Sequence, residues 1–493
     1  MEFLKDKSVL VLGLGESGLA CARFAVRHGA QVTVADTREQ PPGLEQLRAE
    51  HPAVAVRLGA FDASLLDNQQ IMAMSPGLAP TRPEIQQLLA AANERGVTAH
   101  SEIDWFALAL AQLQAERGYA PKVVAITGTN GKTTVTALTR HLAQAAGHDT
   151  VACGNISPAA LAALQAALDA DSLPKVWVLE LSSFQLHYTS LLKADAATVL
   201  NLSQDHLDWH ADMADYAAAK ARIFIGTRIR VINRDDPLVA PMGSGAAPEH
   251  VVTFGLGEPT LPRDFGTQDA GLKWLVQAQP ADDTPRKKKD TSPIEVMQNR
   301  MMPADALRIR GSHNHANALA ALALLRAIDL PLAGLLKGLR DYAGEPHRCQ
   351  FVASVDEVDY IDDSKGTNVG ATQAAIAGLA EGRRRIHLIA GGLGKGQDFS
   401  PLAEPVTRYA KTVLLIGQDA PVIRAALAGS SAELIDCPDL PEAVQTAAER
   451  AAAGDIVLLS PACASFDMFK GYAHRSEVFV HAVSTLQSER GQA

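Results

Sequence analysis

Cysteine is scarce and scattered. Cys21, Cys153, Cys349, Cys437 and Cys463 stand far apart with no C-x-x-C pair. That excludes a disulfide framework or a zinc ribbon and fits the reduced thiols of a cytosolic protein. Aromatic residues make up only 5% of the chain. No apolar run approaches the ~18 residues of a membrane span. The opening MEFLKDKSVLVLGLG runs into a strand pattern without a leader segment. A cytoplasmic protein with no membrane partner is the expectation. Basic charge is not in excess: the formal net charge of −10 argues against a general nucleic-acid binder. Any anionic substrate must then be held locally, by Lys, Arg and helix ends working against the overall field. No short-period repeat occurs.

What is present is 493 residues, 47% of them apolar, too many for one core. Two to four α/β domains are expected. The stretch around which the chain is organised is Val123–Gln144, VVAITGTNGKTTVTALTRHLAQ. Val123–Ile126 suits a buried parallel strand. Thr127–Gly131 reads as a turn, and Val135, Leu138 and Leu142 repeat at helical spacing after it. Strand, glycine turn and helix start together make a phosphate cradle. Gly128, Thr129, Asn130 and Gly131 offer the turn. Lys132 reaches the outer phosphates, and Thr133, followed by Thr134, suits a Mg²⁺ bound to them. Ile126 stands where the strict G-x-x-x-x-G-K-[ST] pattern has Gly, so the motif is a variant. The plain alternative is an ordinary glycine turn between strand and helix.

Earlier in the chain, Ser8–Gly15 reads as a strand entering a turn, with Gly13, Gly15 and Gly18 as G-x-G-x-x-G and Asp36 at the tip of the next strand. This is the dinucleotide fingerprint, which places a diphosphate on a helix start and Asp36 near a ribose or base. The plain alternative is a βαβ unit whose glycines serve tight packing. A strand at Ile71–Gly77 and another at Gly96–His100 complete a first module, closed near Ser101, with Glu102–Glu116 as a linking helix.

After the phosphate cradle come a strand at Thr150–Asn155 and the buried strand Val176–Leu181, which carries Glu180 near its end. A lone carboxylate at that edge suits a metal ligand or a water-positioning group, against a surface acid at a frayed strand end. Ala196–Asn201 leads into LSQDHLDWH, where His206 lies placed for a second cation, against a solvated polar loop. Lys220, on the helix Tyr216–Phe224, reads by itself as a surface lysine. Beyond Gly243 the chain reads as irregular. Gln279–Pro303, with the run Arg286-Lys287-Lys288-Lys289, is expected to be an inserted surface loop between strands at Lys273–Gln277 and Leu307–Arg310. His313, Asn314 and Asn317 lie at the mouth of a helix over Gly311–Ala327. After a break at GEPHR, strands at Gln350–Val355, Val358–Asp362, Ile386–Ala390, Thr412–Ile416, Leu434–Asp436 and Ile456–Leu459 form a third α/β unit. Lys365, Lys395 and Ser465 fall beyond its C-terminal strand ends.

Three α/β units in series, the TGTNGKTT cradle, and the loops DDSKGTN, GGLGKG and SPACASFD resemble the Mur ligase family over nearly the whole chain. GLGESG, ELSSFQL, DHLDWH, GSHNHANALAA and PHR are similar to the family's D-glutamate-adding branch. The resemblance implies three domains: a Rossmann-like UDP-binding unit (1–101), a P-loop ATPase-like central unit with a mostly parallel sheet (102–346) and a Rossmann-like amino-acid unit (347–493). It implies ATP and Mg²⁺, with UDP-N-acetylmuramoyl-L-alanine and D-glutamate as substrates, an acyl-phosphate intermediate and a monomer.

By resemblance, Lys132, His206 and Lys220 are catalytic. Thr133, Glu180, His206 and a carbamylated Lys220 hold metal. Asn314, Asn317, Arg348 and Asp363 bind the adenosine part of ATP. Gly15, Glu16, Ser17, Asp36, Thr37, Arg38, Asn155, Ser182 and His206 meet the UDP substrate. Thr367, Lys395, Ser465 and Phe466 anchor D-glutamate. Ile156-Ser157 and Leu393 depart from the family pattern. An oxidoreductase reading of the glycine fingerprint lacks any hydride-handling site, and a bare ATP switch would leave Lys395 and Ser465 as solvated loop residues.

Overall fold

The computed structural model describes residues 1–206, 209–282, 294–380 and 386–492. The basic run 286–289 lies outside them. Three consecutive α/β units were expected, and three sheets are found, of five, nine and six strands. The five-stranded sheet is parallel throughout, with Ser8–Leu12 at its centre between Gln31–Asp36 and Ile71–Met74. Ala55–Leu58, a mostly exposed strand absent from the sequence reading, forms one edge.

In the nine-stranded sheet Lys122–Thr127 lies between Ala196–Val199 and Val176–Glu180, all parallel. Thr150–Gly154 pairs with the far side of Val176–Glu180. These strands are almost wholly buried, which is why they read as unbroken apolar runs.

The segment past Gly243, read as irregular, instead contains the strands Val251–Phe254 and Phe265–Asp269. The supposed insertion is half sheet: Lys273–Pro280 and Val296–Pro303 pair antiparallel. Leu307–Arg310, expected as a strand, is coil following a short 3₁₀ turn at Ala304–Ala306. Val296–Pro303 escapes a pattern reading because it is an edge strand with no clean alternation of buried and exposed residues.

The helix Glu102–Arg117 is more than a linker. Ser101 and Asp104 form a capping box at its start, and Ile103, Trp105, Phe106 and Ala109 are buried. It packs in one core with residues of both the first and second sheets. Asp104 also accepts from the Ser190 and Leu191 amides at 2.8 and 2.7 Å. Glu102, on the first turn, is 2% exposed, and its Oε1 accepts from the Leu161 amide at 3.0 Å, at the start of the helix Ala160–Asp169.

In the third sheet Val358–Asp362, Ile456–Leu459 and Ile386–Gly391 are adjacent and parallel. The loops after these three strands are DDSKGTN, SPACASFD and GGLGKG. Sequence scatters these loops over about a hundred positions; the sheet order gathers them at one edge. Buried residues on both faces of this sheet form two separate apolar clusters. No helix among the described residues is long and apolar enough to cross a membrane.

Candidate active site

The phosphate turn is built by its glycines. Gly128 sits at φ +154°, where a Cβ would lie 2.9 Å from the Leu200 Cβ, and Gly131 at φ +83°, where one would lie 2.8 Å from the Asn317 side-chain oxygen. Only glycine takes this backbone in so close a space. The helix Lys132–Ala145 starts immediately after Gly131. The Asn130 amide donates to Asn201 Oδ1 at 2.8 Å, and the Thr129 amide to the Asn201 carbonyl at 2.9 Å. The turn is therefore held from outside, by the strand end of Ala196–Val199.

Two lysines converge on this turn. Lys132 Nζ donates to the carbonyls of Gly128 and Thr129, both at 2.9 Å. Lys220 Nζ donates to the same Gly128 carbonyl at 2.9 Å and lies 4.7 Å from the Tyr216 ring centre. Lys220 is 2% exposed, so it is not the surface lysine its own helix predicts. Burial, and then the neighbouring Lys132 charge, pull its pKa well below the ordinary lysine value, against the opposing pull of Asp205 and Glu180. Burial lowers the pKa of Lys132 too, with Glu180 and Asp205 opposing.

Glu180 ends its strand in register with Ile126 and Gly154. One oxygen accepts from Asn155 Nδ2 at 2.9 Å. The other, Oε2, is buried with no hydrogen-bond partner among the described residues. A buried carboxylate oxygen without a hydrogen-bond partner among the described residues, in a carboxylate whose charge acts on both lysines, fits a site for a hard cation. Among the described residues, no group of three or more His, Cys, Asp and Glu is placed to hold a metal. The candidate set differs in kind, because it mixes Glu180 with the Thr133 hydroxyl, His206 and Lys220. His206 has φ +55°, its side chain is about half exposed, and its ring meets Phe184 edge-on at 4.8 Å.

A cavity of about 300 Å³ opens from the turn. Thr129–Thr134, Asn314 and Asn317 line it from the central unit, and Arg348, Asp363, Lys365 and Thr367 from the third. The structure thus brings the nucleotide candidates of both units to one space. Lys395, Ser465 and Phe466 are not on its wall. Ser465 is 3% exposed and Phe466 71% exposed. Burial pushes the Asp363 carboxyl up to about 7 despite hydrogen bonds from Ser460 and the Cys349 amide.

Some candidates are already engaged. Ser182 caps the helix Ser183–Tyr188, accepting from the Gln185 amide at 3.2 Å. The Asp36 carboxylate is engaged as well. It accepts from the Leu14 amide at 2.7 Å and from the Arg38 amide, Nε and Nη2 at 2.7 to 2.9 Å. Burial works to raise its pKa, and the Arg38 hydrogen bonds outweigh that and hold it low. Gly15, Glu16 and Ser17 lie at the start of the helix Glu16–Arg27, with Thr37 and Arg38 exposed at the neighbouring strand tip.

The sequence reading passed over Asp205, which lines the cavity and acts on both lysines. It also passed over the Ser183–His210–Asp215 chain, with His210 Nε2 2.9 Å from Ser183 Oγ and Nδ1 3.0 Å from Asp215 Oδ2. The density of Asp and His in LSQDHLDWH was a signal for both.

Residues 7–98 match the Mur ligase MurD-like N-terminal domain, 126–325 the Mur ligase middle domain, and 347–463 the Mur ligase glutamate ligase domain. The chain belongs to the Mur ligase family. It is 57% identical to a UDP-N-acetylmuramoylalanine–D-glutamate ligase of Ralstonia nicotianae, over 99% of both chains. It is 55% identical to the enzyme of that name from Burkholderia multivorans, over 98% of both. Among solved Mur ligase folds, the MurF ligase of Thermotoga maritima in complex with ADP superposes with a TM-score of 0.58 at 16% identity, over 99% of this chain and 96% of that one. A pseudomurein peptide ligase of Methanothermus fervidus gives 0.54 at 18% identity, over 98% and 100%. At such identity these two establish the Mur ligase architecture alone.

Proposed function

We propose that this chain uses ATP to join the amine of D-glutamate to the alanyl carboxyl of UDP-N-acetylmuramoyl-L-alanine, as a cytoplasmic monomer with modules 1–101, 102–346 and 347–493. The observation that carries this reading is the single cavity shared by the phosphate turn and the third-unit residues Arg348, Lys365 and Thr367. The likeness to D-glutamate ligases over the full chain supports the choice of amino acid.

A carboxylate resists attack by an amine because its charge and its poor leaving group both oppose acyl transfer. ATP removes both obstacles: the carboxylate oxygen attacks the γ-phosphorus, ADP leaves, and the acyl phosphate then loses phosphate to the amine. The protein's share is positioning and charge neutralisation. Free amides at the start of the helix Lys132–Ala145 cradle the phosphates. Lys132 exchanges its carbonyl partners for phosphate oxygens.

Asn314, Asn317, Arg348 and Asp363 hold the adenosine part. Gly15, Glu16, Ser17, Asp36, Thr37 and Arg38 receive UDP. Asn155, Ser182 and His206 face the reactive end of the UDP substrate, and Thr367, Lys395, Ser465 and the Phe466 backbone receive D-glutamate. Thr133 and Glu180 would hold one Mg²⁺, and Glu180, His206 and Lys220 a second. Bound there, the metal ions neutralise charge on the transferred phosphoryl group. Burial keeps the Lys220 amine toward its neutral form, which adds to CO₂ with loss of a proton. The resulting carbamate replaces a repelling cation by an anionic oxygen ligand.

The test is substrate dependence of ADP release. Release should require both UDP-N-acetylmuramoyl-L-alanine and D-glutamate. Equal turnover with L-glutamate, or hydrolysis indifferent to either substrate, overturns the reading. Sedimentation at assay concentration checks the monomer.

A further inference from the structure

Two side-chain amides outside the assigned residues connect the phosphate turn to the amino-acid loops. Asn368 follows Thr367 and caps the helix Val369–Leu379, its Oδ1 accepting from the Ala371 amide at 2.8 Å. That bond fixes which end of the amide faces the other way. Its Nδ2 donates across the unit boundary to Asn130 Oδ1 at 3.2 Å and points at Asp205 Oδ2 at 3.5 Å. The approach is close enough that a Cβ on Gly370 would lie 2.7 Å from Ser203 Oγ and 3.0 Å from Asn130 Nδ2.

One residue further along, the Val369 amide donates to Gln397 Oε1 at 3.1 Å. Gln397 Nε2 donates in turn to the Gly394 carbonyl at 3.1 Å and the Ala462 carbonyl at 2.7 Å. One glutamine therefore ties together all three loops that carry Thr367, Lys395 and Ser465. Asn368 ties the first of them to the turn that receives phosphate.

We propose that Asn368 and Gln397 are positioning residues which make the D-glutamate pocket depend on the phosphate turn. Neither touches a reacting atom. Asn368 docks the third unit on Asn130, and Gln397 carries that docking to the loops of the amino-acid site. ATP, by ordering Asn130 within the turn, then favours the arrangement that binds D-glutamate. The inference rests on the assignment of Thr367, Lys395 and Ser465 to D-glutamate.

The experiment is steady-state ADP release by the full chain and its variants, varying each substrate in turn. Asn368→Ser keeps an oxygen that caps the helix and removes the Nδ2 bridge. Gln397→Ala removes the loop tie at a half-buried site. Each should raise KM for D-glutamate about fivefold or more, the loss of about one net hydrogen bond, with KM for the UDP substrate unchanged. In the combined variant the two effects should fall short of multiplying, because both lie on one connection. Equal weakening of all substrates, an unchanged KM for D-glutamate, or fully multiplicative effects overturn the proposal. If Asn368→Ser fails to fold, Gln397→Ala decides by the same criterion. ADP release by the unaltered enzyme that ignores D-glutamate would instead overturn the functional reading beneath it.

Discussion

Replacing Glu102 by Gln should stabilise the protein in mild alkali and leave it unchanged in acid. Glu102 is buried where the first unit meets the helix Ala160–Asp169. Burial raises its pKa from 4.5 to about 7, against the Leu161 amide bond and Ser17, which favour the anion. Below pH 4.5 the carboxyl is protonated in both the folded and unfolded chain, and it contributes no pH dependence. Between 4.5 and about 7 the unfolded chain has released the proton while the folded chain retains it, so stability falls as pH rises. Above about 7 both are ionised and the loss levels off. At about 1.4 kcal/mol per pH unit the window is worth roughly 3 kcal/mol.

Glutamine has nearly the same shape, keeps an oxygen for the Leu161 amide, and puts an NH₂ where Oε2 has no hydrogen-bond partner among the described residues. Urea unfolding followed through the fully buried Trp105 three residues on reads the difference. At pH 4 the variant and the parent should nearly coincide, and at pH 8 the variant should be more stable by up to about 3 kcal/mol. Asp363, also raised to about 7, adds a slope of the same sign to both proteins and cancels. A gap independent of pH, or a variant less stable at pH 8, would refute the reasoning.

Lys220→Ala should lower turnover at least about 100-fold with ATP binding retained, and short carboxylic acids should restore part of it; undiminished activity removes Lys220 from the site. Gly154→Ala forces a Cβ to 2.4 Å from the Glu180 carbonyl at φ +112°, so it should cost about 2 kcal/mol or more, seen in the melting temperature, and displace Asn155 and Glu180 together. Cys21 and Cys153 are buried, and burial first, then the nearby Glu102 charge, raises both thiols. Neither should react with a thiol reagent until the protein unfolds, and rapid native labelling at either position would contradict the packing described.

The elements read correctly from sequence are those whose cause is local. TGTNGKTT announces its turn because two positive-φ glycines and a helix start are needed within eight residues. Buried parallel strands such as Val176–Glu180 announce themselves as short apolar runs. Val251–Phe254, Phe265–Asp269 and Val296–Pro303 were missed: the first two are only four and five residues long, and the last is an edge strand without a clean alternation of buried and exposed residues. Lys220 shows the same limit at the site. Its helix gives no sign that the side chain is inside. What buries it is the strand end of Lys122–Thr127, about ninety residues earlier. At Asp36 the place at a strand tip was legible, and only the structure shows Arg38, two residues on, donating to both oxygens of its carboxylate.

By itself the sequence determined the order of three α/β units, the phosphate turn, and the family to which its loops correspond. These follow from backbone conformation and short-range periodicity, which neighbouring residues dictate. Only the tertiary structure decided that Lys132 and Lys220 share the Gly128 carbonyl, that Glu180 keeps a buried oxygen without a hydrogen-bond partner among the described residues, that Asn368 joins loops of two units, and that Gln397 ties three loops of the third. Those facts depend on strand order and on docking between units, where contacts form between residues that have no local reason to meet.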